Sequence, residues 1–148
     1  MDDRVKKLKT PAECERFEAN AKALGRDDLV VQARQRRVEL RADAYGSKTE
    51  AERACVQAVY AYEETLAEKK GKRTRATRTW QMIERHGIIG AVERAVDRPD
   101  GTAGFTALKE VGLDNFAFEA VVLRYPDLFS ESAVTRSRER MLALAASK

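Results

Sequence analysis

Helix start and stop signals recur along this chain and constrain its fold more than any other feature of the sequence. The segment TPAE, residues 10–13, places Thr10 at a helix N-cap and Pro11 at the first helical position, where its missing N–H costs nothing. Apolar residues follow at helical spacing until Gly25, a residue that tolerates the left-handed conformation at helix ends. The sequence therefore predicts a first helix between Pro11 and Gly25.

The next two helices are marked in the same way. One is expected from Asp27, as its cap, to Gly46, and its short connection to the first helix predicts an antiparallel hairpin. Residues 47–50, SKTE, form a capping-box sequence. A long helix is therefore expected to begin there and to end near Lys70, before Gly71.

Glycines and prolines divide the rest of the chain. A fourth helix is expected from about Thr74 to His86, and a short apolar helix after Gly87. Two short helices and a terminal helix capped by Ser130 are expected beyond a loop at 97–104. Because no strand-like alternation persists, the sequence predicts an all-α fold of packed antiparallel helical hairpins, with about six to eight helices and no sheet.

Length and composition predict one folded domain, with or without a small appendage. A chain of 148 residues with 43% apolar and 35% charged residues can bury a core without a metal or a disulfide. We expect a flexible N-terminus, 1–9, and a helical core that includes a basic helix, 10–96. After the loop, 97–104, we expect a C-terminal helical subdomain packed on the core, 105–148.

The cysteines and the apolar segments indicate the compartment. Cys14 and Cys55 sit inside helical patterns, as small buried residues do in a reducing compartment. The first nine residues lack the apolar stretch of a signal peptide, and no segment approaches the roughly 18 apolar residues of a membrane span. We therefore expect a cytoplasmic protein that does not associate with membranes.

Positive charge is concentrated in one part of the sequence. Residues 66–86 hold seven of the 28 Lys and Arg but two of the 24 Asp and Glu, so the rest of the chain is close to neutral. No carboxylate precedes the arginines of this part by four residues, the spacing at which helical ion pairs form best. Unpaired guanidinium groups beside short hydroxyls suit phosphate oxygens. We call the seven cations the basic segment: Lys69, Lys70, Lys72, Arg73, Arg75, Arg78 and Arg85.

Nucleic acid is the partner that this charge favours, with DNA preferred to RNA and duplex preferred to single strand. We expect a small accessory or regulatory protein, of bacterial or phage type, that contacts the phosphate backbone. Glu39 and Asp43 lie near the arginines of the second helix, and the acidic first helix is expected to pack beside it, so these arginines have candidate partners. Outer contacts could nevertheless come from Arg34, Arg37, Arg41, Arg136 and Arg140.

Two other interpretations of the basic segment stay open. It can be the solvated face of a surface helix, as charge runs usually are. It can also belong to a protein-interaction module, an adaptor, inhibitor or antitoxin-like factor, whose arginine face meets an acidic partner. Backbone binding predicts similar contributions from Arg75, Arg78 and Arg85 and an affinity that falls steeply with salt, whereas a protein hot spot predicts one dominant arginine beside an aromatic anchor.

A helix-turn-helix is a less favoured way for this region to bind DNA. Residues 77–96 offer two helices around a glycine, but Glu93 occupies a position that the motif needs to be buried. The second helix is also mostly apolar, where donors to base edges would be expected. The basic segment is therefore expected to hold backbone rather than to read sequence.

Single residues leave further alternatives. Trp80 could stack on an unpaired base, but its spacing with Ala76 and Ile83 favours a core position. Glu119 lies among apolar neighbours and either marks the one solvated stripe of its helix, which we favour, or is buried and paired with an arginine. The same apolar stretch supports a homodimer or partner surface formed by Phe116, Phe118 and Val122.

No constellation of side chains predicts catalysis or metal binding. His86 is the one histidine, and neither cysteine stands at the spacing of a zinc site. The glycines of DGTAG, 100–104, are not followed by Lys and Ser or Thr, as a phosphate-binding loop requires. We therefore expect no enzymatic activity, no metal and no cofactor.

Overall fold

The computed structural model describes residues 1–98 and 102–146, and this part of the chain is all-α without a strand. The prediction of an all-α fold is therefore confirmed. Two 3-10 turns, Asp114–Phe116 and Pro126–Leu128, flank the seventh helix. The helices of the described residues are α1 Asp3–Lys6, α2 Pro11–Ala23, α3 Asp27–Tyr45, α4 Glu50–Lys70, α5 Thr77–Asp97, α6 Thr102–Glu110, α7 Phe118–Arg124 and α8 Glu131–Ala146.

Side-chain caps form at three of the predicted helix starts, but not at α3, where Asp27 is the first helical residue and the N-cap, Arg26, makes no side-chain cap. Thr10 and Ser130 each accept a hydrogen bond from the backbone N–H three residues later, both at 3.1 Å. The cap of α4 is Thr49, which accepts from the N–H of Glu52 at 3.1 Å, and not Ser47 as predicted. Thr49 has its own carboxylate three residues later, so the capping box begins two residues further along.

The N-terminus is folded onto the core, which corrects the expectation of a flexible arm over residues 1–9. Val5 of α1 is fully buried against Leu29 and Val30 of α3. The backbone N–H of Asp2 donates to the side-chain oxygen of Gln32 at 2.6 Å. One buried apolar side chain and one hydrogen bond therefore hold this arm in place.

α4 lies at the centre of the helical packing. The hairpin of α2 and α3 contacts α4 through α3, and α5, α6 and α7 contact other faces of α4. Alanines line α4 where its neighbours approach, with Ala54 and Ala58 in one core cluster and Ala61 in another. Small side chains let these helices come close, so α4 can be buried on most sides.

α5 consists of two helical segments joined at Gly87. The φ of 79° and ψ of 170° at Gly87 break the helix, and a side chain would be strained at this φ. The break lies where the sequence predicts the end of the fourth helix. The first segment, however, begins at Thr77 rather than Thr74, so residues 71–76 form a loop. The predicted basic helix is therefore partly loop.

The C-terminal helices pack on the first part of the chain. Phe105 and Leu113 share a core cluster with Val38 of α3. The predicted loop 97–104 includes residues 99–101, which lie outside the described residues. α5 and α6 extend into this loop from its two ends.

Both cysteines are free and fully buried, as the helical patterns predict. Burial raises the pKa of both thiols, and it raises that of Cys55 to about 12. Cys14 lies on α2 and Cys55 on α4. These thiols are therefore packing residues, protected from reagents while the protein is folded.

Candidate nucleic-acid interface

Six of the seven cations of the basic segment lie where α4 ends and α5 begins, and Arg85 lies near the end of the first segment of α5. Lys69 and Lys70 form the end of α4, three cations lie in the loop 71–76, and two lie on α5. All seven residues are exposed, and none forms an ion pair with another residue in the described part of the chain. The structure therefore places six of these cations at one junction and the seventh further along α5, without an ion-pair partner for any of them among the described residues.

Gly71 ends α4 and turns the chain into the basic loop. Its φ of 70° and ψ of 15° are left-handed, and its N–H donates to the carbonyl of Ala67 at 2.8 Å. Lys69 and Lys70 stand at the C-terminal end of α4, where the helix dipole favours positive charge. The turn therefore places loop cations directly after two helical cations.

Glu63 of α4 fixes the end of this loop from beneath. One oxygen of its carboxylate accepts from the backbone N–H of Ala76 at 2.8 Å and from the Nε1–H of Trp80 at 2.7 Å. Ala76 is the N-cap residue of α5 and has no side chain that can cap, so Glu63 supplies an acceptor from another helix. Sequence reasoning missed this role, because no local pattern links residues 13 positions apart.

Trp80 belongs to the core, as its spacing predicts, and it orders one arginine of the basic segment. The residue is 7% exposed, with its ring stacked on Tyr45 at 5.5 Å and tilted against Tyr60 at 5.1 Å between centroids. The guanidinium of Arg75 lies 5.3 Å from the centroid of the Trp80 ring. Arg75 is therefore exposed and at the same time held against an aromatic surface.

Two of the three α3 arginines predicted as outer contacts are buried in ion pairs. Arg34 and Arg37 are each 8% exposed. Arg37 donates from Nε to Glu64 and from Nη2 to Glu18, both at 2.8 Å. Arg34 donates to Glu18 at 3.2 Å and to Glu68 at 3.0 Å. These two arginines therefore hold α2, α3 and α4 together and cannot reach an outer ligand.

Arg41 is intermediate between the buried and the exposed arginines. It is half-buried, and its Nη1 lies 3.4 Å from Glu64. Its Nε is buried and has no hydrogen-bond partner among the described residues. Burial lowers the pKa of Arg41, and the positive charges of Arg73 and Arg37 add to this effect while Glu64 opposes it. Arg41 is therefore the least satisfied cation of α3.

Carboxylates of α2 and α4 neutralise the α3 arginines predicted as outer contacts, so the first predicted helix, α2, supplies a partner as expected, while Glu39 and Asp43 pair with other arginines. Glu39 pairs with Arg36 at 3.8 Å, and Asp43 pairs with Arg53 at 2.6 Å. Glu18 meets the arginines across the hairpin. Burial opposes its ionisation, but nearby positive charges outweigh that effect and lower its pKa. Helix packing, rather than spacing along the sequence, therefore determines which carboxylates pair with these arginines.

The C-terminal arginines also serve the fold. Arg140 is 7% exposed, pairs with Glu119 at 3.2 Å and donates to the backbone carbonyl of Arg98. Arg136 is half-buried and donates to the carbonyl of Asp97. Both fasten α8 to the end of α5, so their guanidinium groups are engaged within the fold. Glu119 is thus the buried, paired acid, and the favoured interpretation of it as a solvated stripe is wrong.

The apolar stretch proposed as a partner surface is largely internal. Val122 is fully buried in a cluster with Val92 and Val96 of α5. Phe116 and Phe118 are half-buried and pack against the core. Val122 therefore cannot take part in a dimer surface, because it already fills the space between α5 and α7.

The second segment of α5 serves packing as well. Glu93, which the sequence places at odds with a helix-turn-helix, accepts a hydrogen bond from the backbone N–H of Ser130 at 2.6 Å. Ala91, Val92 and Val96 on the same segment are buried. This segment therefore anchors α8 and fills the core. Six cations of the basic segment lie before or at the start of the first segment of α5 instead.

Comparison of the chain with protein-family models, with characterised proteins and with solved structures finds no match. In the described part of the chain, no group of three His, Cys, Asp or Glu side chains is placed to hold a metal ion. None of the described helices has both the length and the apolar character needed to cross a bilayer. The basic segment therefore carries the functional argument by itself.

Proposed function

We propose that the protein binds nucleic acid by contacting phosphates with the basic segment, with duplex DNA as the favoured ligand. The observation that carries this proposal is the set of seven exposed cations without a carboxylate partner among the described residues. Elsewhere in the same chain, arginines in groups are matched by carboxylates from neighbouring helices. The missing counter-charge is what a phosphate backbone supplies.

The local geometry supports contact with phosphate rather than with base edges. Arginine offers several donors in a fixed fork that fits phosphate oxygens. The loop that carries Arg73 and Arg75 is fixed at its end by Glu63, and Arg75 lies against Trp80. Arg78 begins the helix that follows. These cations thus stand on a partly ordered frame, which reduces the entropy lost on binding.

Binding across salt concentrations tests the proposal. A fluorescently labelled random duplex and its single strand are titrated at about 50 to 200 mM salt, the range over which phosphate contacts weaken strongly. The wild type is compared with the Arg75→Ala, Arg78→Ala, Arg85→Ala triple variant. A matched control removes three exposed arginines outside the basic segment, Arg94→Ala, Arg124→Ala and Arg138→Ala.

The two triple variants carry the same net charge, so their difference isolates position from charge. We expect the wild type and the control to bind with a steep salt dependence and the basic-segment variant to bind weakly. Failure of the folded wild type to bind either ligand at the lowest salt would refute the proposal and favour an acidic protein partner. If binding were weakened equally in both triple variants, it could not be assigned to the basic segment.

A further inference from the structure

A cleft of 710 Å³ lies beside the basic segment, between the end of α3, α4 and the loop 71–76. Two aromatic rings and four cations line it, against a single carboxylate among the described lining residues. The rings and cations are Tyr45, Tyr60, Lys9, Arg41, Arg73 and Arg75. The cleft thus combines apolar ring surface with an excess of positive charge.

Tyr45 presents the accessible ring of this cleft. It ends α3, where Gly46 turns the chain with a φ of 79°. Its ring stacks on Trp80 with an interplanar angle of 28°, yet the residue is 42% exposed. Tyr45 is therefore held in place by an internal aromatic partner and still offers ring surface to another planar group.

Most of the positive charge that lines the cleft is not neutralised by ion pairs among the described residues. Lys9, Arg73 and Arg75 form no ion pair with another described residue. The lining carboxylate, Glu63, already accepts hydrogen bonds from Ala76 and Trp80. An anion in the cleft would therefore meet positive charge that the fold itself does not neutralise.

The neighbouring cleft differs from the first in the charge and the residue types of its lining. It has a volume of 480 Å³ and lies between α2, α3 and α4. Five of its lining residues are carboxylates and six are cations, among which Arg34 and Arg37 pair with these carboxylates. It also contains no aromatic residue among those that line it. A planar, anionic ligand is therefore favoured by the first cleft and not by the second.

We infer that the cleft beside Tyr45 holds one unpaired nucleotide, with the base against the Tyr45 ring and the phosphate between Arg73 and Arg75. This inference rests on the proposed function and sharpens it. A base stacks on an aromatic ring only after it has left its own stack, so the ligand is single-stranded or extruded from a duplex. The basic segment would then hold the phosphates on the flanking nucleotides.

The test compares strands that differ only in their bases. A labelled 12-nucleotide oligothymidine and a 12-nucleotide abasic strand carry the same phosphates, and both are titrated against the full chain at one salt concentration. We expect the oligothymidine to bind about tenfold or more tightly, as base–aromatic stacking predicts. Tyr45→Ala should remove this preference without changing the affinity for the abasic strand. Tyr45→Phe, which keeps the ring, should retain it.

The outcomes separate the inference from the proposed function. Equal wild-type affinity for both strands, with a steep salt dependence, would overturn the inference and leave phosphate binding intact. No binding to either strand or to duplex would overturn both. Because Tyr45 packs on Trp80, the melting temperature of each variant is measured first, and Tyr45→Leu replaces Tyr45→Ala if the alanine variant does not fold. The wild-type comparison needs no variant at all.

Discussion

The arginines of α3 and those of the basic segment resemble one another in sequence but have opposite surroundings. Arg34 and Arg37 are buried and share carboxylates from α2 and α4. Arg75 and Arg78 are exposed and have no such partner among the described residues. The comparison shows that the helices packed against an arginine cluster decide whether its charge is neutralised within the fold or stays available to a ligand. Spacing along one helix does not decide this.

The largest effect is expected where a buried arginine is removed. Arg37→Ala leaves Glu18 and Glu64 buried without their main partner, so we expect the free energy of unfolding to fall by about 3–5 kcal/mol. Urea unfolding monitored by circular dichroism measures the loss. A variant that also neutralises both carboxylates, Glu18→Gln and Glu64→Gln, should recover part of it. A loss below about 1 kcal/mol for Arg37→Ala would contradict the structural role.

This network also marks how far the sequence can predict the fold. Caps and glycines predict the helices, because those signals act within a few residues. The sequence offers Glu39, Asp43 and the acidic first helix as partners. The pairing of Arg37 with Glu64, however, joins residues 27 positions apart. Long-range pairing depends on how helices pack, so the role of the α3 arginines could not be predicted.

The basic segment could be predicted from the sequence, because no carboxylate stands at the preferred pairing distance before its arginines along the chain. Helix packing also brings no carboxylate to these cations among the described residues. The loop 71–76, which carries three of the cations, could not be predicted. The sequence predicts a helix from Thr74, but Glu63 accepts from the backbone N–H of Ala76 and α5 starts at Thr77. The accessible ring was also missed. Sequence reasoning considered Trp80 for stacking, whereas Tyr45 is the exposed aromatic residue beside it.

The second effect concerns the connection between the two regions. Glu63→Ala leaves the N–H groups of Ala76 and Trp80 without their acceptor, and each buried donor costs about 1–3 kcal/mol when unsatisfied. We expect lower stability and a red-shifted emission of Trp80, the one tryptophan in the chain. Fluorescence-detected unfolding measures both. An unchanged spectrum would mean that Glu63 does not fix the loop.

The third effect is an acid sensitivity to which Glu18, a partner of the buried arginines, contributes. The pKa of Glu18 is lowered in the folded protein, since Arg37 and Arg34 outweigh the effect of burial. A lowered folded pKa gives stability that is present above the ordinary value of 4.5 and is lost as the pH falls below it. The melting temperature should therefore drop below about pH 4.5, and Glu18→Gln should flatten this dependence. An equally steep drop in the Glu18→Gln variant would mean that other groups cause the acid sensitivity.

The smallest effect on stability is expected in the basic segment. Arg78→Ala and Arg85→Ala each remove an exposed side chain without an ion-pair partner among the described residues, so the free energy of unfolding should change by no more than about 0.5 kcal/mol. Urea unfolding beside Arg37→Ala provides the comparison. A loss above about 2 kcal/mol for either variant would mean that these arginines serve the fold.

The most direct measurement of the central claim is the salt dependence of duplex binding by the wild type and by the Arg75→Ala, Arg78→Ala, Arg85→Ala variant. Each phosphate contact contributes a slope of about −0.9 to the logarithm of affinity against the logarithm of salt concentration. If the three arginines each contact one phosphate, the slope of the variant should be shallower by about 2.7 while its stability stays near that of the wild type. Equal slopes for the two proteins would contradict the account.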